Sequence, residues 1–247
     1  MIATVFVTQI PPEYAKHIVY DARGWPFFER SSAELIKPVR PCVRLDNDNE
    51  AHLLRYLWPL AMDTAVTANL GRRLPLAPER FKEELNNKRF TNNADVESVA
   101  RLFEKTATQV LAATSEINLN RIPVRQGHGE QLAQTLALCN SIQKLAWSFT
   151  DMPETELHAI LGARIDSLRE LHLHTSRLRV RIPNEVGRFN VLQTLDLSTN
   201  ELFGPIPDSI GLCVALKTLY LQNNAHGVNP RLSWPMQFVA DTEYIEQ

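Results

Sequence analysis

LRELHLHTSRLRVRIPNEVGRF, residues 168–189, is answered at residues 192–213 by LQTLDLSTNELFGPIPDSIGLC. The two stretches lie 24 residues apart and match wherever the side chain decides structure. Leu168, Leu171 and Leu173 fall on Leu192, Leu195 and Leu197, and Leu178 falls on Leu202. Ile182-Pro183 falls on Ile206-Pro207, and Val186-Gly187 on Ile210-Gly211. A further step of 24 brings Leu216, Leu219, Leu221 and Asn224 into register. A unit this short cannot bury its apolar side alone, so successive units must stack and share one interior.

Upstream the period lengthens. Ile142, Leu145, Trp147 and Met152 precede Leu168, Leu171, Leu173 and Leu178 by 26 residues. Ile117, Leu119 and Val124 precede Leu145, Trp147 and Met152 by 28. Five strands are therefore expected, near residues 116–120, 144–148, 170–174, 194–198 and 218–222. The longer units carry a helical connector: Leu132, Leu136 and Cys139 recur at i, i+4 and i+7 in GEQLAQTLALC. The shorter ones carry IPxxIG, where proline blocks a regular helix interior. Asn200 and Asn224 stand where an amide can satisfy buried backbone groups as the chain leaves a strand. Thr150 and Ser176 hold the equivalent places, so the later repeats are expected to be the more regular.

The motifs LxxLxLxTNxLxGPIPxSIG and LKTLYLQNN resemble the leucine-rich-repeat superfamily over roughly residues 114–226. The 24-residue units resemble its plant-type subclass and the 26–28-residue units its ribonuclease-inhibitor-like subclass. The resemblance implies an α/β fold, a curved leucine-rich-repeat solenoid with a parallel sheet on its concave side. The domain reading is an N-terminal α/β or α+β module over 1–113, the repeats over 114–230, and a tail or cap over 231–247. In that tail, Leu232, Trp234 and Phe238 are candidates to cover the last strand.

Residues 1–113 do not repeat. TVFVT reads as a strand, RGWPFFERSSAELI as a helix, PVRPCVRLDNDNE as a loop, and LLRYLWPLAM as a buried helix or strand. APERFKEELNNKRF reads as a helix opened by Pro78. Residues 94–113 read as another, with Asn93 as N-cap and an apolar stripe of Val96, Val99, Leu102, Phe103 and Val110. VFVTQIPP followed by RGWPFFE resembles the strand and WCxxE motif of TIR-type domains. That resemblance implies that Glu29 acts on the ribose of NAD. Pro26 stands where the family has cysteine, and the first half of such a domain is missing.

Between the inward leucines, alternate residues of each strand project from the sheet. Their columns run Lys144, Glu170, Thr194, Thr218; then Ala146, His172, Asp196, Tyr220; then Ser148, His174, Ser198, Gln222. Lys144, Glu170, His172, His174, Asp196, Ser198, Tyr220 and Gln222 form the expected partner-binding surface, with Tyr220 as its anchor by residue type. His172 and His174 lack the Cys, Asp or Glu at ligand spacing that a metal needs. Asp46, Asp48 and Glu50 lack the Gly and the final Glu of a calcium loop. Gly71 opens no phosphate-binding motif. No cofactor is expected.

The chain has 26 Lys+Arg against 28 Asp+Glu, a balance that gives no reason to expect nucleic acid. No apolar run reaches the ~18–20 residues of a membrane-spanning helix, and the start does not read as a signal peptide. Cys42, Cys139 and Cys213 are odd in number and far apart, and there is no Asn-x-Ser/Thr site. These features favour the cytoplasm. The leading expectation is a protein-interaction or scaffold module. The alternatives are a partial TIR-like, NAD-hydrolysing signalling protein with a repeat sensor, and a fragment of a plant-type receptor ectodomain, which would be membrane-associated.

Overall fold

The structure is a computed structural model that describes residues 4–7, 22–36, 42–45, 73–90, 92–163, 165–224 and 237–239. It divides into two compact units, Met1–Ala112 and Ala113–Gln247.

In the first unit, β1 (Thr4–Val7) pairs in parallel with β2 (Cys42–Leu45), Thr4 opposite Cys42 and Val7 opposite Leu45. The loop expected at residues 38–50 therefore contains a strand. Its four residues are hidden in the sequence by the prolines before and the Asp/Asn run after, which are turn signals. Helix α1 spans Gly24–Ile36. Helix α2 spans Pro78–Leu85, with proline at its first position, where a missing N–H costs nothing. It stops short of the expected residue 90 because Asn86 and Asn87 enter a turn.

Helix α3 spans Asp95–Ala113. The backbone N–H that precedes it, on Ala94, is accepted by the side chain of Asn92 at 3.1 Å, not by the expected Asn93. Its buried stripe is Val99, Phe103, Ala107 and Leu111 at strict i+4 spacing, with Ala100 beside it. Leu102, read as part of that stripe, is exposed. The core of this unit is a stack of rings contributed by the three helices. Phe27 lies 4.9 Å from Phe81, and Phe81 lies 3.8 Å from Phe103, each pair stacked with nearly parallel planes. Buried Glu34 accepts at Oε1 from Arg30 Nε at 3.2 Å and Arg73 Nε at 3.3 Å, which offsets part of its loss of water. The segment 53–62, the acidic run 46–50 and Gly71 lie outside the described residues.

The second unit is a solenoid. Strands β3 (Glu116–Asn118), β4 (Lys144–Ala146), β5 (Glu170–His172), β6 (Thr194–Asp196), β7 (Thr218–Tyr220) and β8 (Gln237–Val239) form one parallel sheet in chain order. Ile117, Leu145, Leu171 and Leu195 face one another across the ladder, and Leu219 follows. This is the register that the leucine period specifies. The tail adds a sixth strand beyond the five expected: β8 sets Phe238, one of the candidates to cover the last strand, opposite Leu219, only 19 residues on. Leu232 and Trp234 lie outside the described residues.

Each strand is three residues long rather than five, and the reason recurs once per coil. Arg121, Phe149, Thr175, Thr199 and Asn223 all have positive φ, between 53° and 66°. Left-handed backbone turns the chain out of the sheet. The residue that follows satisfies the groups the turn exposes. Asn200 accepts from the N–H of Ser176 and Leu178 and donates to the carbonyls of Leu173, Leu197 and Ser198. Asn224 accepts from Leu202 N–H and donates to Leu197 and Leu221. In the earlier coils hydroxyls replace the amide: Ser176 Oγ donates to Trp147 O, and Thr150 Oγ1 to Ile122 O.

The return path changes along the array. Helix α4 (His128–Leu136) and helix α5 (Glu154–Leu161) serve the early coils. Single 3-10 turns, Asn184–Arg188 and Asp208–Leu212, serve the later ones. Gly187 lets the two 3-10 turns touch, since a Cβ there would stand 2.5 Å from the Ser209 carbonyl oxygen.

Candidate recognition surface

The outward columns of the sheet are set by the pairing itself. Lys144, Glu170, Thr194 and Thr218 stand in one row, and Ala146, His172, Asp196 and Tyr220 in the next. Across β4, β5 and β6 these residues form a chain of charge-assisted contacts. Lys144 Nζ lies 3.3 Å from Glu170 Oε2. His172 Nε2 lies 3.2 Å from that same oxygen, and its Nδ1 lies 3.7 Å from Asp196 Oδ2. Asp196 Oδ1 in turn accepts from Ser198 Oγ at 2.7 Å and Ser198 N–H at 3.1 Å.

The electrostatics follow from these contacts. The Asp196 carboxylate beside it raises the pKa of His172; desolvation opposes this, and Glu170 reinforces it. The bond from His172 chiefly lowers that of Glu170. Burial pushes the Asp196 carboxyl up, but the bonds from His172 and Ser198 outweigh it and leave it lowered. One imidazole thus sits between two carboxylates that favour its charged form.

Two residues of the third column do not project. Ser148 is 0% exposed and Ser198 7%. The expectation that they face solvent assumed strands that continue through them. Each instead lies past the end of its strand, just before a left-handed residue, Phe149 or Thr199; His174 and Gln222 hold the same place before Thr175 and Asn223 and keep partial exposure. Ser198 Oγ donates to Asp196 and helps orient it. Ala146 is also buried. His174 and Gln222 remain partly exposed, and Tyr220 is half-buried between Asp196 on one side and Val239 on the other.

One feature of this rim was not read from the sequence. Phe149 is exposed and makes an edge-to-face contact with His174 at 4.7 Å, while the Arg121 guanidinium lies 4.9 Å from its ring centre. These residues come from three successive coils at the same left-handed turn. The signal that locates them is the repeat alignment carried past the leucines, which sets Arg121 and Phe149 28 residues apart.

Glu29 lies on an exposed face of α1, in the other unit. Among the described residues no group of three or more His, Cys, Asp or Glu is placed to hold a metal, and no helix is long and apolar enough to cross a membrane. Cys139 and Cys213 are buried free thiols, and burial pushes each up to about 11.

The Leucine Rich Repeat family model matches residues 191–213. A search of curated proteins finds no match. Among solved structures the chain is similar to the plant peptide hormone receptor RGFR1 in complex with RGF2. The identity is 26%, over 46% of this chain and 17% of that one, with a TM-score of 0.35. It is also similar to the Leptospira interrogans LRR protein LIC12759, at 26% identity over 55% of this chain and 29% of that one, with a TM-score of 0.35. A third likeness is to the BIR3–SERK2 complex from Arabidopsis thaliana, at 25% identity over 44% and 55%, with a TM-score of 0.33. The chain spans less than a third of the length of the first two and a little over half of the third. The family match, the 24-residue spacing and the parallel stack together make the second unit a leucine-rich-repeat solenoid.

Proposed function

We propose that the solenoid is a protein-binding module that presents its concave sheet to a partner protein. The observation that carries this reading is the Lys144–Glu170–His172–Asp196 chain, fixed on three adjacent strands. Side chains already held in place lose little freedom when a partner docks, so less of the contact energy is consumed by ordering. Half-buried Tyr220 adjoins this chain through its pairing with Asp196 and supplies the aromatic anchor that such surfaces favour. Phe149 and His174 extend the surface at its rim. Three separated cysteines, two of them buried and protonated, favour the cytoplasm as its working compartment.

The test is a quantitative comparison of baits. Full-length protein is immobilised beside a variant carrying His172→Glu and Tyr220→Ala and a control carrying Lys217→Ala away from these columns. Proteins retained by wild type and control are expected to fall by roughly tenfold or more on the double variant. Equal retention by all three baits overturns the assignment of the concave face.

A further inference from the structure

A second surface lies outside the concave sheet, on the segment RLRVRI that follows β5. Residues 177–182 alternate between exposed and buried. Leu178, Val180 and Ile182 enter the core, which leaves Arg177, Arg179 and Arg181 all on the outside. The neighbouring coil runs beside this segment, with Glu201 N–H donating to Leu178 O at 2.9 Å and Phe203 N–H to Val180 O at 3.2 Å. That pairing fixes Arg179 and Arg181 on one side of an extended ribbon, roughly 7 Å apart along the chain.

Arg181 is positioned further. Gly204, at φ +80°, leaves room for its side chain, whose Cγ and Nε pass 3.3 Å from where a Cβ would be. Its guanidinium lies 5.9 Å from the ring centre of Phe203, which is 42% exposed. Arg181 and Arg188 then line a groove of about 640 Å³ together with Pro183, Pro205 and Pro207. Two glutamates also line it, but both are turned on His158: Glu185 at 3.1 Å and Glu154 at 3.8 Å. Arg177 is paired, loosely, with Asp151 at 3.7 Å. Among the described residues, Arg179 and Arg181 form no ion pair with a carboxylate, while the charge of Arg188 acts on Glu185.

We propose that this arginine ribbon and its groove dock a short, extended, acidic segment of a partner protein. An extended peptide running along the ribbon repeats every second side chain at the same interval, so alternate carboxylates meet successive guanidiniums. The exposed Phe203 ring and the three prolines offer apolar contact between the charges. Nucleic acid fits less well, because a phosphate backbone rewards a long run of cations. Here the run is short and bounded by Asp151, Glu154, Glu185 and Glu201. The site is separate from the concave face and stands whether or not that face binds.

The probe is a fluorescein-labelled decapeptide with glutamate at alternate positions and serine and leucine between, followed by anisotropy against the full chain. Wild type is expected to bind it, more weakly as salt rises. Arg179→Glu with Arg181→Glu is expected to lose at least about thirtyfold in affinity, and Arg179→Gln with Arg181→Gln about tenfold. Both variants change exposed side chains, and retained circular dichroism confirms their fold. The concave variant His172→Glu, Tyr220→Ala should bind the peptide as wild type does, so failure of one surface is separable from failure of the other. Four outcomes overturn the proposal: no binding by wild type, undiminished binding by the charge-reversed variant, equal binding of a peptide with glutamine for glutamate, or tighter binding of an oligothymidylate of the same charge.

Discussion

The early and late coils of the solenoid bury the same column of residues by different means. Between β3 and β5 the pitch is 28 and then 26 residues, and the chain returns through α4 and α5. Between β5 and β7 the pitch is 24 twice, and the return is a five-residue 3-10 turn. A helix is about 10 Å across, whereas neighbouring strands are only ~4.8 Å apart. The helical coils therefore have more interior to fill, and Trp147 fills it where the later coils carry Leu173 and Leu197. They also have helix ends to satisfy. The carboxylate of buried Glu156 accepts from Gly127 N–H at 3.0 Å and Gly129 N–H at 2.6 Å, at the start of α4. The later coils need neither device, and rely on asparagine. The sheet tolerates either solution because its spacing is set by the backbone alone.

Making an early coil imitate a late one should break it most severely. Trp147→Leu removes a fully buried ring and takes from the Ile122 carbonyl its 2.9 Å bond from Trp147 Nε1, leaving it only the 3.3 Å bond from Thr150 Oγ1. The expected loss is about 3–4 kcal/mol in urea unfolding. The reverse imitation is milder. Asn200→Ser puts the early-coil hydroxyl into a late coil and forfeits most of five hydrogen bonds. About 2–3 kcal/mol is expected, with faster amide exchange at Ser176 and Leu178. If Trp147→Leu is tolerated while Asn200→Ser is not, the two kinds of coil do not differ in interior volume as argued.

Glu156→Gln tests the other early-coil device. The amide keeps one acceptor oxygen where the carboxylate offers two, so one of the two glycine N–H groups loses its acceptor, and the loss is the more costly at buried Gly129 than at exposed Gly127. A cost of about 1–2 kcal/mol follows, and amide exchange should quicken at Gly127 or Gly129 ahead of the sheet. An unchanged midpoint would mean that the start of α4 is satisfied by water.

The register of β3 to β7 was legible because a single apolar column recurs and a slip by one residue would expose it. The parts that were not legible depend on contacts far apart in sequence or on backbone conformation. Glu156 caps a helix 27 residues before it, and nothing local marks it as a cap. Ser148 and Ser198 look like outward positions of a strand until the left-handed turns at Phe149 and Thr199 are known. β8 escapes because Gln237–Val239 is brief and arrives on a shorter pitch than any repeat. The arginine ribbon was visible as alternation in RLRVRI but was read only for its leucine and isoleucine.

The smallest effect concerns the concave contacts, which only the middle coils possess. His172 has its pKa raised in the folded protein, first by Asp196. Its contribution to stability is therefore full below the ordinary histidine value and disappears as pH rises through the raised one. Glu170 and Asp196 are lowered, so their contribution is full above the ordinary carboxylate range and disappears as pH falls through the lowered values. All three act together in mildly acidic solution, whereas at alkaline pH the carboxylates keep only what Lys144 and Ser198 supply. The difference in melting temperature between wild type and His172→Gln should accordingly be larger at pH 6 than at pH 8.5. A difference that grows with pH instead would show that His172 is held there as the neutral imidazole. The charge on the outward columns of the sheet would then be more negative than the geometry implies.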